Sequence, residues 1–374
     1  MFRSRVNDLP VAFLNKGRKM LFNLFKKQKS CMEIEIYEQA DIAQTILDNY
    51  LTKDGDINIE VPSDINRIII IASGSSYHCA RYAAELFSSI SKIEARAIYS
   101  SEFLLEDTIA YQEGILYIFI TQSGETTDTN RALEKAKEYG VQTFCITNKE
   151  NSTIWNAADF KMACHAGEEK SIAATKSFTS QLLCATLLAL KFAQDKEIDV
   201  YDYILDLKTI PSFITSTYGL HGKIKNLARF LSKYKHIIFT ADGKSYALAK
   251  EASLKIKETS YINTNSSILG EFMHGHVAVL NNKKSVLVYI LNDNLTYTAI
   301  KNLGNIKESY NPPICVIGNR TNQVKSTYNI NIECDKPVIK TFCIAVIIQL
   351  LALETALKLR KNIDKPHGLN KVVR

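Results

Sequence analysis

Hydroxyl and amide side chains cluster in one short loop of the sequence, around Gly124. Thr121, Gln122, Ser123 and Thr126 follow an apolar run and precede a segment with the pattern of a helix. Backbone N–H groups at a helix N-terminus attract anions, and hydroxyl groups add donors, so such a loop can hold a phosphate without lysine or arginine. Serine and threonine also cap helices without binding any ligand, which is the alternative interpretation. No Gly-Lys-Ser/Thr follows, so the loop is not a P-loop.

A second loop of the same kind strengthens the phosphate interpretation. Ser75 and Ser76 stand in the run Ser73-Gly74-Ser75-Ser76, again directly after a strongly apolar segment. In parallel sheets the carboxyl ends of neighbouring strands lie at one edge, where ligands bind. Two hydroxyl-rich loops at adjacent strand ends therefore favour an anion site over two unrelated helix caps.

A lysine, a glutamate and a histidine could together transfer protons. Lys255 and Glu258 are three residues apart, so they share one face of a predicted helix. His274 follows sixteen residues after Glu258, in a turn flanked by Gly270 and Gly275. An ammonium beside a carboxylate, with an imidazole available, suits general acid–base chemistry. On these residues alone, a solvated salt bridge and an unrelated loop histidine are the alternative.

Alternating strands and helices must position these groups. Four apolar segments predict parallel strands: Arg67–Ala72, Ile115–Thr121, Val141–Thr147 and Phe160–Ala163. Helices are predicted near residues 77–91 and 128–139. This order, with short polar loops between the elements, predicts a doubly wound parallel sheet of the α/β class.

The chain also repeats itself. Ser76–Ala83 and Ser245–Ala252 both read S-Y-x-x-A-[RK]-x-A, and each follows a strand-like apolar segment, the second being His236–Thr240. The repeat predicts two related α/β domains, of which only the first has a Q-S-G-E-T loop. The expected division is a basic extension at 1–31, a first domain at 32–200, a linker at 201–216, a second domain at 217–366 and a tail at 367–374.

Composition and charge exclude several classes of protein. The 374 residues are 46% hydrophobic and 23% charged, which is typical of a folded protein of about two domains. The net charge of +7 comes from residues 1–30, because the other 344 residues carry 38 basic and 38 acidic groups. The body is therefore neutral, and no nucleic-acid partner is expected. We interpret the basic arm as an extension before a second start at Met32; an amphipathic surface arm is the alternative.

The cysteines and the apolar runs indicate a cytoplasmic protein. Eight cysteines are scattered without CxxC or CxxH pairs, which predicts free, buried thiols in a reducing compartment and no metal site. No 18 residues in succession are apolar. The most apolar run, Phe342–Leu353, contains Gln349 and ends before Glu354, so it predicts a buried helix and no membrane span.

The motifs, taken in order, resemble those of one family. From about Met32 onward the sequence is similar to proteins with two sugar isomerase (SIS) domains, of the kind that form the isomerase half of glucosamine-6-phosphate synthase. The resemblance implies two tandem doubly wound, flavodoxin-like domains with a short C-terminal tail. It rests on motifs spread over about 300 residues: Gly74–Tyr77, Thr121–Thr126, Ala173–Thr179, Glu251–Tyr261, Gly270–Gly275 and Gly368–Lys371.

The resemblance implies a role for each candidate residue. The family's hydroxyl loops bind the sugar phosphate, and their positions here are Ser75, Ser76, Thr121, Gln122, Ser123 and Thr126. The base that moves a proton between C1 and C2 corresponds to Glu258, supported by Lys255. The histidine that opens the sugar ring corresponds to His274. In the family this histidine comes from the neighbouring subunit, so the resemblance implies a homodimer with shared active sites. The tail lysine that can form an imine corresponds to Lys371, and His276 stands where the family usually has proline.

The implied reaction is that of a glucosamine-6-phosphate deaminase, which forms fructose 6-phosphate and ammonia. Only about 30 residues precede the isomerase-like region, so no glutaminase domain is expected there. No cofactor or metal is expected, since the substrate supplies its own electron sink. Three alternatives stay open: a synthase-type isomerase without its glutaminase domain, a fructosamine-6-phosphate deglycase, and a non-catalytic sugar-phosphate-binding regulator. Retention of Glu258, His274 and Lys371 argues against the regulator.

Overall fold

Two five-stranded parallel sheets form the framework of the molecule. The computed structural model describes residues 29–106, 113–292 and 295–372. The first sheet contains β1 Arg67–Ala72, β2 Glu94–Tyr99, β3 Ile115–Thr121, β4 Gln142–Thr147 and β5 Phe160–Ala163. The second sheet contains β6 His236–Ala241, β7 Asn263–Ile268, β8 Ser285–Leu291, β9 Ile314–Gly318 and β10 Tyr328–Asn331. The predicted α/β class is confirmed.

Helices precede and connect the strands. The helices up to the end of the first domain are α1 Cys31–Tyr37, α2 Gln39–Tyr50, α3 Gly74–Leu86, α4 Ser100–Leu105, α5 Thr127–Glu138, α6 Thr153–Ala157 and α7 Lys176–Asp195. Those that follow are α8 Tyr201–Tyr218, α9 His221–Leu231, α10 Ser245–Ser260, α11 Leu269–Phe272, α12 Tyr297–Tyr310 and α13 Pro337–Lys358. One π turn and two 3₁₀ turns complete the described elements: Phe87–Ser91, His276–Asn281 and Thr321–Gln323.

The two sheets have the same topology, as the sequence repeat predicts. The first has the order β2-β1-β3-β4-β5, and the second has the equivalent order β7-β6-β8-β9-β10, with all pairs parallel. The repeated octamers occupy equivalent places, in α3 after β1 and in α10 after β6. In the first sheet Ala72 pairs with Ile120, so the loops that follow β1 and β3 leave the same edge side by side.

The core joins the two halves. One apolar cluster contains residues from both sheets together with α7 and α13, and two smaller clusters cover the outer faces. Helix α13 has a mean hydropathy of 1.9 and is long and apolar enough to cross a membrane, but its apolar window is wholly buried. The interpretation of Phe342–Leu353 as a buried core helix is therefore confirmed. Residues 201–216, expected as a linker, lie inside α8.

Three details differ from the sequence-based expectations. Helix α3 begins at Gly74 rather than near Tyr77, so Ser75 and Ser76 belong to its first turn, and a π turn replaces its last residues. Five strands have no counterpart among the predicted ones: the polar edge strands β2 and β7, and β8, β9 and β10 of the second sheet. Helix α1 begins at Cys31, one residue before the expected domain start. Residues 1–28 of the basic arm lie outside the described residues.

Candidate active site

A cavity of about 610 Å³ opens at the carboxyl edge of the first sheet. Its walls come from the loops after β1 and β3, the start of α7, the last turns of α10 and the C-terminal tail. Nine of the ten candidate residues line it: Ser75, Ser76, Thr121, Gln122, Ser123, Thr126, Lys255, Glu258 and Lys371. The fold thus collects residues that are up to 296 positions apart in the sequence (Ser75 and Lys371).

The loop between β3 and α5 lines the cavity, and its Thr126 hydroxyl does not cap the helix that follows. Thr126 is the N-cap residue of α5, yet its side chain makes no capping hydrogen bond. Its hydroxyl instead lies 3.0 Å from the hydroxyl of Thr121. Gly124 has a φ of +69°, and a Cβ there would lie 2.0 Å from the Ser152 Oγ, so only glycine fits this turn. The observation weakens the capping interpretation and leaves donors available for an anion.

Lys255 and Glu258 form a close pair on the cavity side of α10. The Lys255 Nζ lies 2.6 Å from a Glu258 carboxylate oxygen, and the lysine side chain is only 1% exposed. The pair is therefore not a solvated surface bridge. Burial alone would lower the pKa of Lys255, but the carboxylates of Glu258 and Glu251 raise it above its ordinary value. Lys255 thus carries a permanent positive charge next to the candidate base.

Glu251 links this pair to the first serine loop. Its carboxylate accepts hydrogen bonds from the Ser75 hydroxyl at 2.9 Å and shares a 2.7 Å bond with the His78 Nδ1. It also lies 3.5 Å from the Lys255 Nζ. Burial raises the pKa of Glu251, but Lys255, His78 and Ser75 outweigh it and hold the pKa below its usual range. Glu251 was visible in the sequence seven residues before Glu258, whereas no signal distinguished His78.

Lys371 reaches the cavity from the tail and meets a residue that sequence reasoning missed. Its ammonium donates to the carboxylate of Glu169 and, at 2.8 Å, to the carbonyl of Ser171. Glu169 is fully buried and also accepts hydrogen bonds from Thr175 and Ser177 at the start of α7. Nothing in the run around Glu169 marks it in the sequence, because an identical Glu168 precedes it.

His274 is the one candidate that the structure places outside the cavity lining. It lies in the exposed turn after α11, where its backbone N–H donates to the Glu271 carbonyl at 2.9 Å. His276 is likewise exposed, at the start of a 3₁₀ turn. Within one chain the cavity is therefore lined by the candidate base and the candidate anion-binding loops, but His274 does not border it.

The cysteines are free thiols, as predicted. All eight lie within the described residues; six are buried, and Cys31 and Cys334 are partly exposed. Among the residues that the structure describes, no three His, Cys, Asp or Glu side chains are grouped so that they could hold a metal ion.

The fold consists of two tandem α/β domains, and one cavity at the strand ends of the first domain is lined by hydroxyl groups and by a lysine–glutamate pair. The chain belongs to the SIS domain family, whose model matches residues 63–191 and 230–359. The resemblance and the fold inferred from it are confirmed.

Curated relatives carry the name glutamine–fructose-6-phosphate aminotransferase [isomerizing]. The protein from Campylobacter jejuni is 33% identical over 348 residues, which are 91% of this chain. The protein from Aquifex aeolicus is 31% identical over 347 residues, which are 92% of this chain. The chain spans 58% of the length of each of these relatives.

Solved structures agree with the fold. The C-terminal domain of glucosamine-fructose-6-phosphate aminotransferase from Francisella tularensis has a TM-score of 0.84 and 27% identity, covering 91% of this chain and 99% of that one. Glucosamine-6-phosphate deaminase from Thermotoga maritima has a TM-score of 0.74 and 21% identity, covering 92% of this chain and 99% of that one.

Proposed function

We propose that the protein isomerises an amino-hexose 6-phosphate with loss of ammonia, as a glucosamine-6-phosphate deaminase that yields fructose 6-phosphate. The observation that carries the proposal is the ion pair between the buried Lys255 and the partly exposed Glu258, which shares one cavity with two hydroxyl-rich loops and with Lys371. An anion site fixes the phosphate end of a sugar, and the pair then lies beside the carbon atoms that exchange a proton.

Each group has a defined step in the proposed reaction. The loops around Ser75 and Thr126 bind the phosphate. The His274 side chain of a second subunit opens the ring. Glu258 removes the proton from C2 and returns it to C1, while the Lys255 ammonium stabilises the negative charge that develops on the enolamine oxygen. The resulting C2 imine reacts with water, so its carbon–nitrogen bond breaks and ammonia leaves. Lys371 can form an imine with the open-chain ketose, as the family resemblance implies.

A second candidate is an isomerase of the synthase type. The 33% and 31% identity to the curated aminotransferases supports it. It would interconvert hexose 6-phosphates and release no ammonia. A fructosamine-6-phosphate deglycase would use the same base on a substrate substituted at nitrogen, and a regulator would bind the sugar phosphate without turnover.

One assay separates these candidates. The purified full chain is incubated with glucosamine 6-phosphate while ammonia and fructose 6-phosphate are measured, with fructoselysine 6-phosphate in a parallel reaction. Equal amounts of both products from glucosamine 6-phosphate support the deaminase. Conversion of fructose 6-phosphate, supplied in a third reaction, to an aldose 6-phosphate without release of ammonia indicates the isomerase, and turnover of fructoselysine 6-phosphate alone indicates the deglycase. Glu258→Gln should lower the rate roughly 10²- to 10⁴-fold, because it removes the base.

The cysteines and the charge distribution bear on the location, the assembly and the partners of the protein. We propose a cytoplasmic homodimer that uses no metal or cofactor and binds neither nucleic acid nor membrane. The eight free thiols and the neutral body of the chain support it.

A further inference from the structure

The C-terminal tail leaves the body of the protein at a defined hinge. Before the hinge, both carboxylate oxygens of Asp364 accept hydrogen bonds from the first amides of α1, each at 2.9 Å. The His367 amide donates to the Tyr261 hydroxyl at 2.7 Å. Gly368 then turns the chain with a φ of +79°, and residues 367–370 are exposed. The tail is thus anchored up to residue 367 and projects from there beside the cavity.

Beyond the hinge, one ammonium group holds the tail to the first domain. Within the described residues, Lys371 supplies the hydrogen bonds that join residues 369–372 to that domain, through the Glu169 carboxylate and the Ser171 carbonyl. The Lys371 side chain is 24% exposed, whereas that of Glu169 is fully buried. A charge-assisted bond to a buried partner is stronger than a bond on the surface.

The two oxygens of Glu169 have different partners. Oε1 accepts from the amides of Thr175 at 2.9 Å and Ser177 at 3.1 Å, so it caps the N-terminus of α7. Oε2 accepts from the Ser177 hydroxyl at 2.7 Å and from Lys371. The helix N-terminus stabilises a negative charge at this place. Burial raises the pKa of Glu169, but Lys371 and the α7 donors outweigh it and hold the pKa below its usual range.

We propose that Glu169 is a positioning residue that latches the C-terminal tail over the cavity through Lys371. With the latch closed, residues 368–372 form one wall of the cavity. When it opens, the tail swings about Gly368 and the cavity loses that wall. Lys371 must also leave Glu169 before its nitrogen can reach a substrate carbonyl. The effect on turnover rests on the proposed function, whereas the latch itself does not.

Glu169→Gln tests the latch, because the amide oxygen can keep the Oε1 contacts to α7 while the amide NH₂ in place of Oε2 cannot accept a bond from Lys371. The Ser177 hydroxyl, which donates to Oε2 in the wild type, can instead accept from this NH₂. Hydrogen–deuterium exchange of peptides covering residues 367–372 is measured on the ligand-free full chain. We expect exchange to rise about tenfold or more in this variant, the factor expected for a lost hydrogen bond to a charged group. Lys371→Met should give the same rise, and the double variant should give no more than either single one.

Glu168→Gln is the matched control, since Glu168 is the neighbouring carboxylate, 79% exposed and paired only loosely with Lys170 at 3.6 Å. It should leave the tail as protected as in the wild type. Wild-type protection in Glu169→Gln, or an equal loss in Glu168→Gln, would overturn the latch. If Glu169→Gln does not fold, Lys371→Met decides: a fully protected tail in that variant also overturns the proposal.

Steady-state kinetics with glucosamine 6-phosphate give the second readout. We expect KM to rise about tenfold in Glu169→Gln with a smaller change in kcat, because the base is intact and the cavity wall is lost. A fall in kcat at unchanged KM with a protected tail would mean that Glu169 touches the reacting atoms instead. If the wild type does not turn over this substrate, the proposed function fails, while the exchange data still decide the latch.

Discussion

At the scale of single residues, the site depends on charges that are buried together. Glu251 and Lys255 have side chains 1% exposed, and they stay charged because each supplies the other's counter-charge. Removing one member of such a group leaves the others uncompensated, which costs more than the pair contributes. The buried Glu251 carboxylate also ties Ser75, a candidate phosphate ligand, to the helix that bears the candidate base. Stability and chemistry therefore depend on the same residues.

Glu251→Gln should change both the free energy of unfolding and its dependence on pH. We expect the variant to lose roughly 3–5 kcal/mol of unfolding free energy near neutral pH. The folded pKa of Glu251 is lowered, so its contribution is present above the usual carboxyl range and is lost as pH falls through that lowered pKa. The free energy of unfolding, measured with urea from about pH 6 down to about pH 3, should thus fall less steeply in the variant than in the wild type. Glu60→Gln, at an exposed site, is the control; equal slopes in all three proteins would contradict this account.

Thr126→Val tests the phosphate loop. The hydroxyl of Thr126 caps nothing in α5, so its loss should leave the fold intact while it removes one donor to the phosphate. A hydrogen bond to a charged group contributes roughly 1.5–3 kcal/mol, so affinity for any hexose 6-phosphate should fall about 10- to 100-fold. Isothermal titration calorimetry measures this affinity. The control is Thr215→Val on the exposed side of α8, and unchanged affinity in Thr126→Val would restore the capping interpretation.

The site residues differ in how far the sequence reveals them. Glu258 and Lys255 stand out because a helix places them on one face, and the hydroxyl loops because they follow apolar strands. Glu169 could not be chosen over Glu168, since the two are adjacent and identical, and only the fold buries one of them against α7. His78 was hidden for the same reason: its partner lies 173 residues away in the other domain.

At the scale of elements, the short helix α1 braces both the tail and the cavity wall. Ser30 caps it by accepting from the Glu33 amide at 3.1 Å, and Asp364 binds its first amides. Its Glu35 accepts from the backbone of Lys170 and Ser171, beside the lysine latch. Of the two described residues that precede α1, Ser30 caps the helix and Lys29 places its ammonium 5.1 Å from the centre of the Tyr37 ring.

A protein that begins at Met32 should fold, dimerise and turn over like the full chain. It loses the Ser30 cap, worth about 1 kcal/mol, but its new α-amino group lies beside Asp364 and can pair with it. A protein that begins at Lys29 keeps the cap and serves as the matched control. Thermal unfolding and the deaminase assay are measured for the full chain and for both shortened proteins. A large loss of activity in both shortened proteins would give residues 1–28 a functional role.

A local sequence pattern identifies some of the strands and not others. The central strands β1, β3 and β6 are apolar on both faces and are recognisable from composition alone. The edge strands β2 and β7 alternate exposed and partly covered residues, and β7 reads Asn-Thr-Asn-Ser-Ser-Ile. Such segments have low strand propensity and become strands because a neighbour offers hydrogen bonds, which a local pattern does not contain.

At the scale of the whole molecule, two domains of the same topology contribute different groups to one cavity. The first domain provides the hydroxyl-rich loops, and α10 of the second provides Lys255 and Glu258. The tail then crosses back to the first domain. Because the large core cluster contains residues of both sheets, the two sets of groups are held in fixed relation. The internal repeat predicts the shared framework, and the single Q-S-G-E-T loop predicts that the halves differ.

The last prediction concerns the assembly, because one chain leaves its site without His274. That residue is exposed and does not border the cavity, whereas ring opening needs an imidazole near the ring oxygen.

If the neighbouring subunit supplies the His274 imidazole, two inactive variants should complement each other. Glu258→Gln and His274→Ala are mixed and allowed to exchange subunits; each mixed dimer then has one site with both defects and one with neither. Half of the dimers are mixed statistically, so activity should recover to about one quarter of the wild type. The control is each variant incubated alone, and exchange is verified with differently tagged chains. No recovery after verified exchange would show that Glu258 and His274 act within one chain.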